Sequence, residues 1–465
     1  MIRKSENYLN EKAPQSPPKA GMIKLGYTSD RRFIYRSCAI RGSAHKTRLL
    51  RPQLPRKDAS YAELWLSSFL SGSPVEDVLP TVGNCRIIDV FCGCGGFALG
   101  IRAGLQAAGF QSEVLCAVDI ERAALAVYKS NHQPKMTLLR NANSLVDFQV
   151  KGAGGTALFQ YAPTVLERDL IRHVDGVDLF IAGPPCQGHS NLNNQTRRND
   201  PKNLLYVTAA SLGVALGAKI IVVENVPTVI QSHGDVVETA KALLRSSGYN
   251  LSEVLLDASA HGCAQTRKRH FLFAQKIKTP NSPLDEAAKA TKCERIPVAS
   301  VLGDLLDVAP EGLMDGPSSL SEDNKRRIQY LFDHDLFELP NKIRPVCHQD
   351  GHTYPSVYGR LKWDQPAQTI TSGFLSPGRG RFIHPTKPRG LTLHEGARIQ
   401  GFPDNFHFEI RDEGTLARSA VAKMIADAVP PALGAIVGIA AASLLESTSE
   451  RLPKTGPGPV DDVTS

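Results

Sequence analysis

The pattern of apolar and polar positions changes character at Cys85 in this 465-residue chain. Arg86 to Phe91 is a short apolar run. A glycine-rich turn follows, then Phe97-Ala98-Leu99-Gly100-Ile101, which reads as strand, loop and helix. Glu113 to Val118, Val177 to Ala182 and Ala218 to Val223 repeat the apolar run. They end at Asp119, at Gly183-Pro184-Pro185 and at Glu224-Asn225. Helical periodicity fills intervening stretches, for example 203–216 and 236–246, and His270 to Ala274 reads as another strand. Strands alternating with helices predict an α/β fold, a doubly wound and mostly parallel sheet. Ligands bind such sheets at the carboxyl ends of the strands, and the polar clusters fall there.

The flanks differ. Residues 10–20 are rich in Pro, Lys and Ser, and 276–357 are richer in charge and Pro, with few clear strands. The expected organisation is a basic, partly disordered extension at 1–84 and a catalytic, cofactor-binding domain at 85–275. A smaller inserted domain follows at 276–385. The chain returns to the first domain at 386–445 and ends in a disordered tail at 446–465. The apolar stretch 432–445 is too short to span a membrane and rich in small residues, so it is expected as a buried helix.

Hydrophobic residues make up 42% and charged residues 22% of the chain. That composition suits a soluble globular protein and excludes a wholly disordered, collagen-like or multi-span membrane chain. The net charge of +8 is unevenly placed: residues 1–60 hold fourteen basic and four acidic residues. Such an arm is suited to neutralising phosphates, although a solvated leader would carry the same charge. The nine cysteines are scattered, and Cys92-Gly93-Cys94 lacks zinc-knuckle spacing, so no metal site is expected. A reduced, cytoplasmic protein fits this cysteine usage and the absence of an apolar leader.

Between the first strand and helix, Asp89-Val90-Phe91-Cys92-Gly93-Cys94-Gly95-Gly96 brings backbone N–H groups close to a ligand. On spacing alone the ligand stays open between a dinucleotide, S-adenosylmethionine and none. Asp119 is placed to hold ribose hydroxyls. Cys186 follows two prolines just beyond a strand end, and Glu224 closes the next strand. Gln265, Arg267 and Arg269 share one face if the chain is extended there.

Taken together and in order, these segments resemble the DNA cytosine-5 methyltransferase family. The resemblance covers about residues 85–440. It is carried by Asp89 to Gly96, Pro184-Pro185-Cys186-Gln187-Gly188-His189-Ser190, Glu224-Asn225-Val226 and Gln265-Thr266-Arg267-Lys268-Arg269. Thr392 to Asp404 and Ala428-Val429-Pro430-Pro431 complete it. It implies transfer of a methyl group from S-adenosylmethionine to carbon 5 of cytosine in double-stranded DNA, with Cys186 adding to carbon 6 of a flipped-out base. Glu224 then matches the acid near N3, Arg269 the group at O2, and Arg267 its neighbour supporting phosphate or the carboxylate.

For the cofactor, the resemblance implies Phe91 and Ile120 at the adenine, Gly93 and Gly95 at the methionine part and Asp119 at the ribose. Pro184, Leu205, Asp427 and Ala428 line the same pocket, and Asn143 stands where the family has an acid. Gln187, Ser190, Arg197 and Gln265 are implied DNA contacts, with 186–206 as a mobile loop. The region 276–385 would read the target sequence. The last motif departs from the family: Ala426-Asp427 replaces Gly-Asn, putting a negative charge at the cofactor's amino-acid end.

The implied setting is a restriction–modification system, a phage or a solitary methylase. A restriction endonuclease would be encoded separately, and a monomer acting in the cytoplasm, at the nucleoid if prokaryotic, is expected. The competing readings are an RNA cytosine methyltransferase, an inactive DNA-binding homologue and, more distantly, a nicotinamide oxidoreductase.

Overall fold

The computed structural model describes residues 23–53, 56–75, 82–185, 204–231, 235–349, 356–409 and 416–449. The chain opens with an antiparallel sheet of three strands, β1 (Ile23–Ser29), β2 (Phe33–Ile40) and β3 (Ser43–Leu50), followed by helix α1 (Tyr61–Leu70). A capping box starts α1: the Ser60 side chain accepts from the Glu63 backbone N–H, and the Glu63 carboxylate accepts from that of Ser60. The stretch 23–70 is therefore the folded part of the basic extension. Its strands escaped notice because Arg36 breaks the apolar face. The Arg36 guanidinium turns inward, 4.3 Å from the Trp65 ring, and donates to the Ala103 carbonyl at 3.3 Å.

The main sheet follows the predicted class. Its elements in chain order are β4 (Gly83–Val90), α2 (Gly96–Ala107), β5 (Phe110–Asp119), α3 (Arg122–His132), β6 (Met136–Leu139), β7 (Leu179–Ala182) and α4 (Leu205–Ala215). Then come β8 (Ile220–Asn225), α5 (Val236–Ser246), β9 (Asn250–Asp257) and β10 (Lys268–Gln275). The spatial order is β9-β10-β8-β7-β4-β5-β6. Strands β4 to β8 are parallel, and β10 runs antiparallel between β8 and β9. The winding reverses between β4 and β7, so the crevice for a ligand opens beyond the carboxyl ends of those two strands.

Helix α6 (Pro283–Thr291) buries Leu284 and Ala287 in the same core as β4 and α2. This helix lies within the stretch expected as the smaller region, yet it packs with the catalytic core. That region holds α7 (Glu322–Asp333) and a small core of Ile328, Leu331, Leu339, Val357, Tyr358 and Ile383. The chain then returns through α8 (Leu393–Gln400), α9 (Arg418–Asp427) and α10 (Pro431–Ser449). At the junction, Arg398 is buried and bridges Asp304 at 3.1 Å and Asp404 at 2.6 Å.

The stretch 432–445 lies in α10, whose apolar side chains are buried, and among the described residues no single helix is long and apolar enough to cross a membrane. Helices α2 and α10 touch backbone to backbone. A side chain at Gly434 would sit 2.6 Å from the Phe97 carbonyl oxygen. Those at Gly100, Gly104 and Gly438 would be driven into the carbonyls of Pro431, Ala435 and Ile101. Gly438→Leu must part the helices, since their backbones cannot yield as a side chain can. A loss of about 1–3 kcal/mol in urea-unfolding free energy is expected, while Gly217→Ala, where nothing lies within 4 Å of the new carbon, should cost no more than the strain of its positive φ.

Candidate active site

The loop leaving β4 is built on left-handed backbone: φ is +59° at Phe91, +53° at Gly93 and +98° at Gly95. A non-glycine residue in that region is held there by its surroundings at a cost. Gly95 has no room for anything larger. His132 Nε2 lies 3.0 Å from its carbonyl oxygen, and a side chain would strike the His132 ring. Burial and the nearby Arg102 hold the His132 ring to a pKa of about 3, so it is neutral. Gly93 is the opposite case, with open space where a side chain would begin. Its N–H donates to Asp119 Oδ2 at 2.8 Å, and the Glu121 N–H donates to Asp119 Oδ1 at 2.9 Å. The end of β5 is thereby tied to the loop of β4. Ile120 protrudes beside it, 65% exposed.

Strand pairing builds the other wall. Ala182 of β7 pairs with Val223 of β8, so the next residues, Gly183 and Glu224, are neighbours. A side chain at Gly183 would approach Glu224 Oε2 to 3.5 Å. Asn225 Nδ2 donates to the Pro184 carbonyl at 3.3 Å, fixing the turn between the strands. Antiparallel β10 brings Arg269 alongside, with Nε 2.8 Å from Glu224 Oε1. Burial pushes the Glu224 carboxyl above its ordinary pKa, against the opposing pull of Arg269 and Arg267. Cys186, Gln187, Ser190 and Arg197 lie outside the described residues. Pro185, which precedes Cys186 in the chain, lines the cavity.

Two of the expected site residues, Gln265 and Arg267, are buried. Gln265 is fully buried: its Nε2 donates to Gln400 Oε1 at 2.6 Å and its Oε1 accepts from the Ile370 N–H at 2.7 Å. Its amide is engaged at both ends within the protein. Strand β10 begins only at Lys268, and the shared face expected for 265–269 does not form. Arg267 is also buried. It donates to the carbonyls of Ile370 at 2.9 Å and Ala426 at 2.6 Å, and its side chain reaches the cavity wall. It ties the segment before β10 to Ile370 and to the end of α9, and its field reaches Glu224.

One continuous cavity of about 550 Å³ joins these features. The glycine loop, Asp119 and Ile120 line it together with Glu224 and Arg269, as do Pro184, Leu205 and Ala428. Asn143 lies on the wall, where its Oδ1 already accepts from the Thr208 hydroxyl at 2.8 Å, leaving one lone pair. Asp427 is partnered: Lys423 Nζ is 2.8 Å from its Oδ2, one helical turn away, and both line the cavity. Burial alone would lower the Lys423 pKa, but Asp427 outweighs it and raises the ammonium above its usual value.

Lys423 was not among the residues expected from sequence, and Asn225 was named in the Glu224-Asn225-Val226 motif without a role of its own. Both were findable. An i, i+4 Lys–Asp pair on a helix neutralises itself, and an amide beside a strand-end carboxylate at a switch point has an unpaired loop to hold. Burial pushes the Cys38, Cys94, Cys116 and Cys263 thiols up to about 12, so none of these is a ready nucleophile at neutral pH. No disulfide and no metal-binding cluster occurs among the described residues.

A sheet of this order, with its cavity at the switch point and a glycine loop on one wall, defines the Rossmann-like methyltransferase fold. An S. pombe structure, the Dnmt2 methyltransferase, shares it with a TM-score of 0.52 at 18% identity over 78% of this chain and 99% of its own. A prophage-encoded E. coli chain assigned as a DNA modification methyltransferase gives 0.53 at 22% identity over 78% and 99%. The chain belongs to the C-5 cytosine-specific DNA methylase family, whose model matches residues 85–441. It is 38% identical over 380 residues to the type II methyltransferase M1.BsuMI of Bacillus subtilis (strain 168), covering 82% of this chain and 84% of that protein. It is 29% identical to the type II methylase M.HgiDII of Herpetosiphon aurantiacus over 78% and 97%. The enzyme class is therefore DNA cytosine-5 methyltransferase.

Replacing Arg267 with Met leaves buried carbonyl oxygens of Ile370 and Ala426 without a donor. Charged hydrogen bonds of this kind are worth about 1.5–3 kcal/mol each. Chemical denaturation of Arg267→Met should show a loss on the order of 3 kcal/mol, larger than for Arg269→Met, whose guanidinium is less buried and pairs with a single carboxylate.

Proposed function

We propose that the enzyme transfers a methyl group from S-adenosylmethionine to carbon 5 of a cytosine turned out of a specific DNA duplex, within a restriction–modification system. The observation that carries this reading is the single cavity joining the glycine loop to the Glu224–Arg269 pair. A methyl donor at one end and a base at the other would meet beside Pro185. The donor set suits the cofactor. Gly93 leaves open space in front of the N-terminus of α2, and Asp119 offers carboxylate oxygens for a ribose. Lys423 and Asp427 supply one cation and one anion, the complement of a zwitterionic amino-acid tail. The charge introduced by Asp427 is thus matched within the protein and does not bar the cofactor.

When bound, S-adenosylmethionine would supply an electrophilic methyl group. The remaining chemistry falls to the chain. The Cys186 sulfur adds to carbon 6 of the base, and the electron pair moves toward the ring nitrogen N3 and carbon 5. Glu224 holds a proton toward N3, which its raised pKa favours. Arg269, held against Glu224, orients that carboxyl and offers its remaining N–H groups to the base carbonyl. After carbon 5 has gained the methyl group it loses its proton to a base, and the C6–S bond breaks to release Cys186. Excluding water from the cavity strengthens each of these interactions.

Sequence-specific double-stranded DNA is the proposed substrate, with the region after α6 as its reader. A restriction endonuclease encoded elsewhere is the proposed functional counterpart, and the cytoplasm is the proposed location.

Expression in a host lacking cytosine-5 methylation, followed by bisulfite sequencing, should reveal methylcytosine in one short sequence context. Cys186→Ala should abolish it while DNA binding persists; methylation retained by that variant would overturn the mechanism. Glu224→Gln should slow single turnover by about 10²–10⁴-fold with little change in DNA affinity. Because the folded pKa of Glu224 is raised, the proton it supplies is present below that pKa and lost as pH rises through it. The wild-type rate should fall along that limb, and the limb should vanish in Glu224→Gln. Lys423→Ala should weaken calorimetric binding of S-adenosylhomocysteine severalfold, since Asp427 would face the ligand's carboxylate uncompensated.

A further inference from the structure

The N-terminal sheet has two unlike faces. Its inner face is covered: Ile23, Cys38 and Ile40 join the core around α2 and α10, while Ile34 and Leu49 pack on Leu64 and Trp65 of α1. His45 lies against Gly109, beyond the end of α2. The sheet's contacts with α2 fall near Ala103 and Gly109, away from the glycine loop at the start of that helix.

Its outer face carries Lys24 and Thr28 of β1, Phe33, Tyr35 and Ser37 of β2, and Lys46 and Arg48 of β3. Cross-strand pairing places Tyr35 opposite Arg48 and Ser37 opposite Lys46. The basic groups lie over the rings: Lys46 Nζ is 4.1 Å from the Tyr35 ring centroid and Arg48 Cζ 4.4 Å from that of Phe33. Arg32, in the turn before β2, sits 5.2 Å from the same Phe33 ring. Across the described residues from 23 to 75 there are ten Lys and Arg against Asp30, Asp58 and Glu63. Two of those acids are spent locally: Asp30 accepts from the Arg32 and Phe33 N–H groups and the Tyr35 hydroxyl, and Glu63 caps α1.

We infer that this outer face is a second DNA-binding surface, which grips the phosphates of duplex lying outside the target site. The rings hold the cationic heads spread over the sheet, so little side-chain freedom remains to be lost on binding. Charged residues are depleted from the centre of protein–protein interfaces, whereas here the heads of Lys46 and Arg48 lie over the rings of the central strand. A polyanion is the complement of such a face. The inference rests on DNA as the substrate polymer and not on the cytosine chemistry.

The test uses the full chain with Lys46→Glu and Arg48→Glu combined. Binding is measured against salt concentration on a long linear duplex with one target site and on a short duplex spanning only that site. On long DNA the slope of log affinity against log salt should shrink by about 2, at about 0.9 per phosphate contact, with at least about tenfold weaker binding near 0.1 M salt. Methylation of the short duplex should be unchanged, which separates this inference from the catalytic reading. Arg31→Ala with Arg32→Ala, in the turn, guards against misfolding of the first variant and should give a smaller shift in the same direction. Unchanged slopes on long DNA in both folded variants would overturn the inference, including the case where an acidic protein binds this face instead.

Discussion

The closeness of α2 and α10 is the constraint on which the rest depends. Glycines on both helices let carbonyl oxygens of one backbone touch the other, a distance that any side chain would widen. Helix α2 carries the glycine loop at its start. Helix α10 follows, after Pro430, the segment holding Asp427 and Ala428. Pressing the two together therefore sets the width of the cavity between its first wall and its last. Side-chain packing alone would leave that width adjustable; backbone contact does not.

Charge placement follows from that geometry. Glu224 is buried at a strand end with one guanidinium in contact and a second nearby, so its carboxyl is poised between desolvation and ion pairing. Arg267 shows how a cation near a site can act through structure. Its hydrogen bonds to backbone carbonyls from two other segments hold the cavity wall in place, and its effect on Glu224 is a consequence of position. The Lys423–Asp427 pair sets two opposed charges one helical turn apart on the cavity wall.

Much of the fold was legible in the sequence because β4, β5, β7, β8 and β10 are buried on both faces. They read as short apolar runs ending in polar residues. Strands β6 and β9 were not found: one is four residues long, and the other is an edge strand whose side chains are largely half-exposed. The N-terminal sheet hid behind its own charge, since Arg36 and His45 point inward where alternation calls for apolar residues. At the site, pattern alone left the ligand of the glycine loop open, and the order of motifs narrowed it. The burial of Gln265 and Arg267 was not legible in the sequence. Long polar side chains suit a ligand and a buried carbonyl equally well, and only the position of the first residue of β10 decides between them.

The sheet order has a consequence for the life of the polypeptide. The cavity's first wall is made early in synthesis and its last wall only by the segment before α10. A chain still on the ribosome holds an open half-site, however well its central sheet has formed. The region between α6 and α8 has emerged by the time the pocket can close. The cavity can therefore be completed only in a chain that already carries the region between α6 and α8, and the order of translation itself separates the growing polypeptide from premature engagement with its ligand.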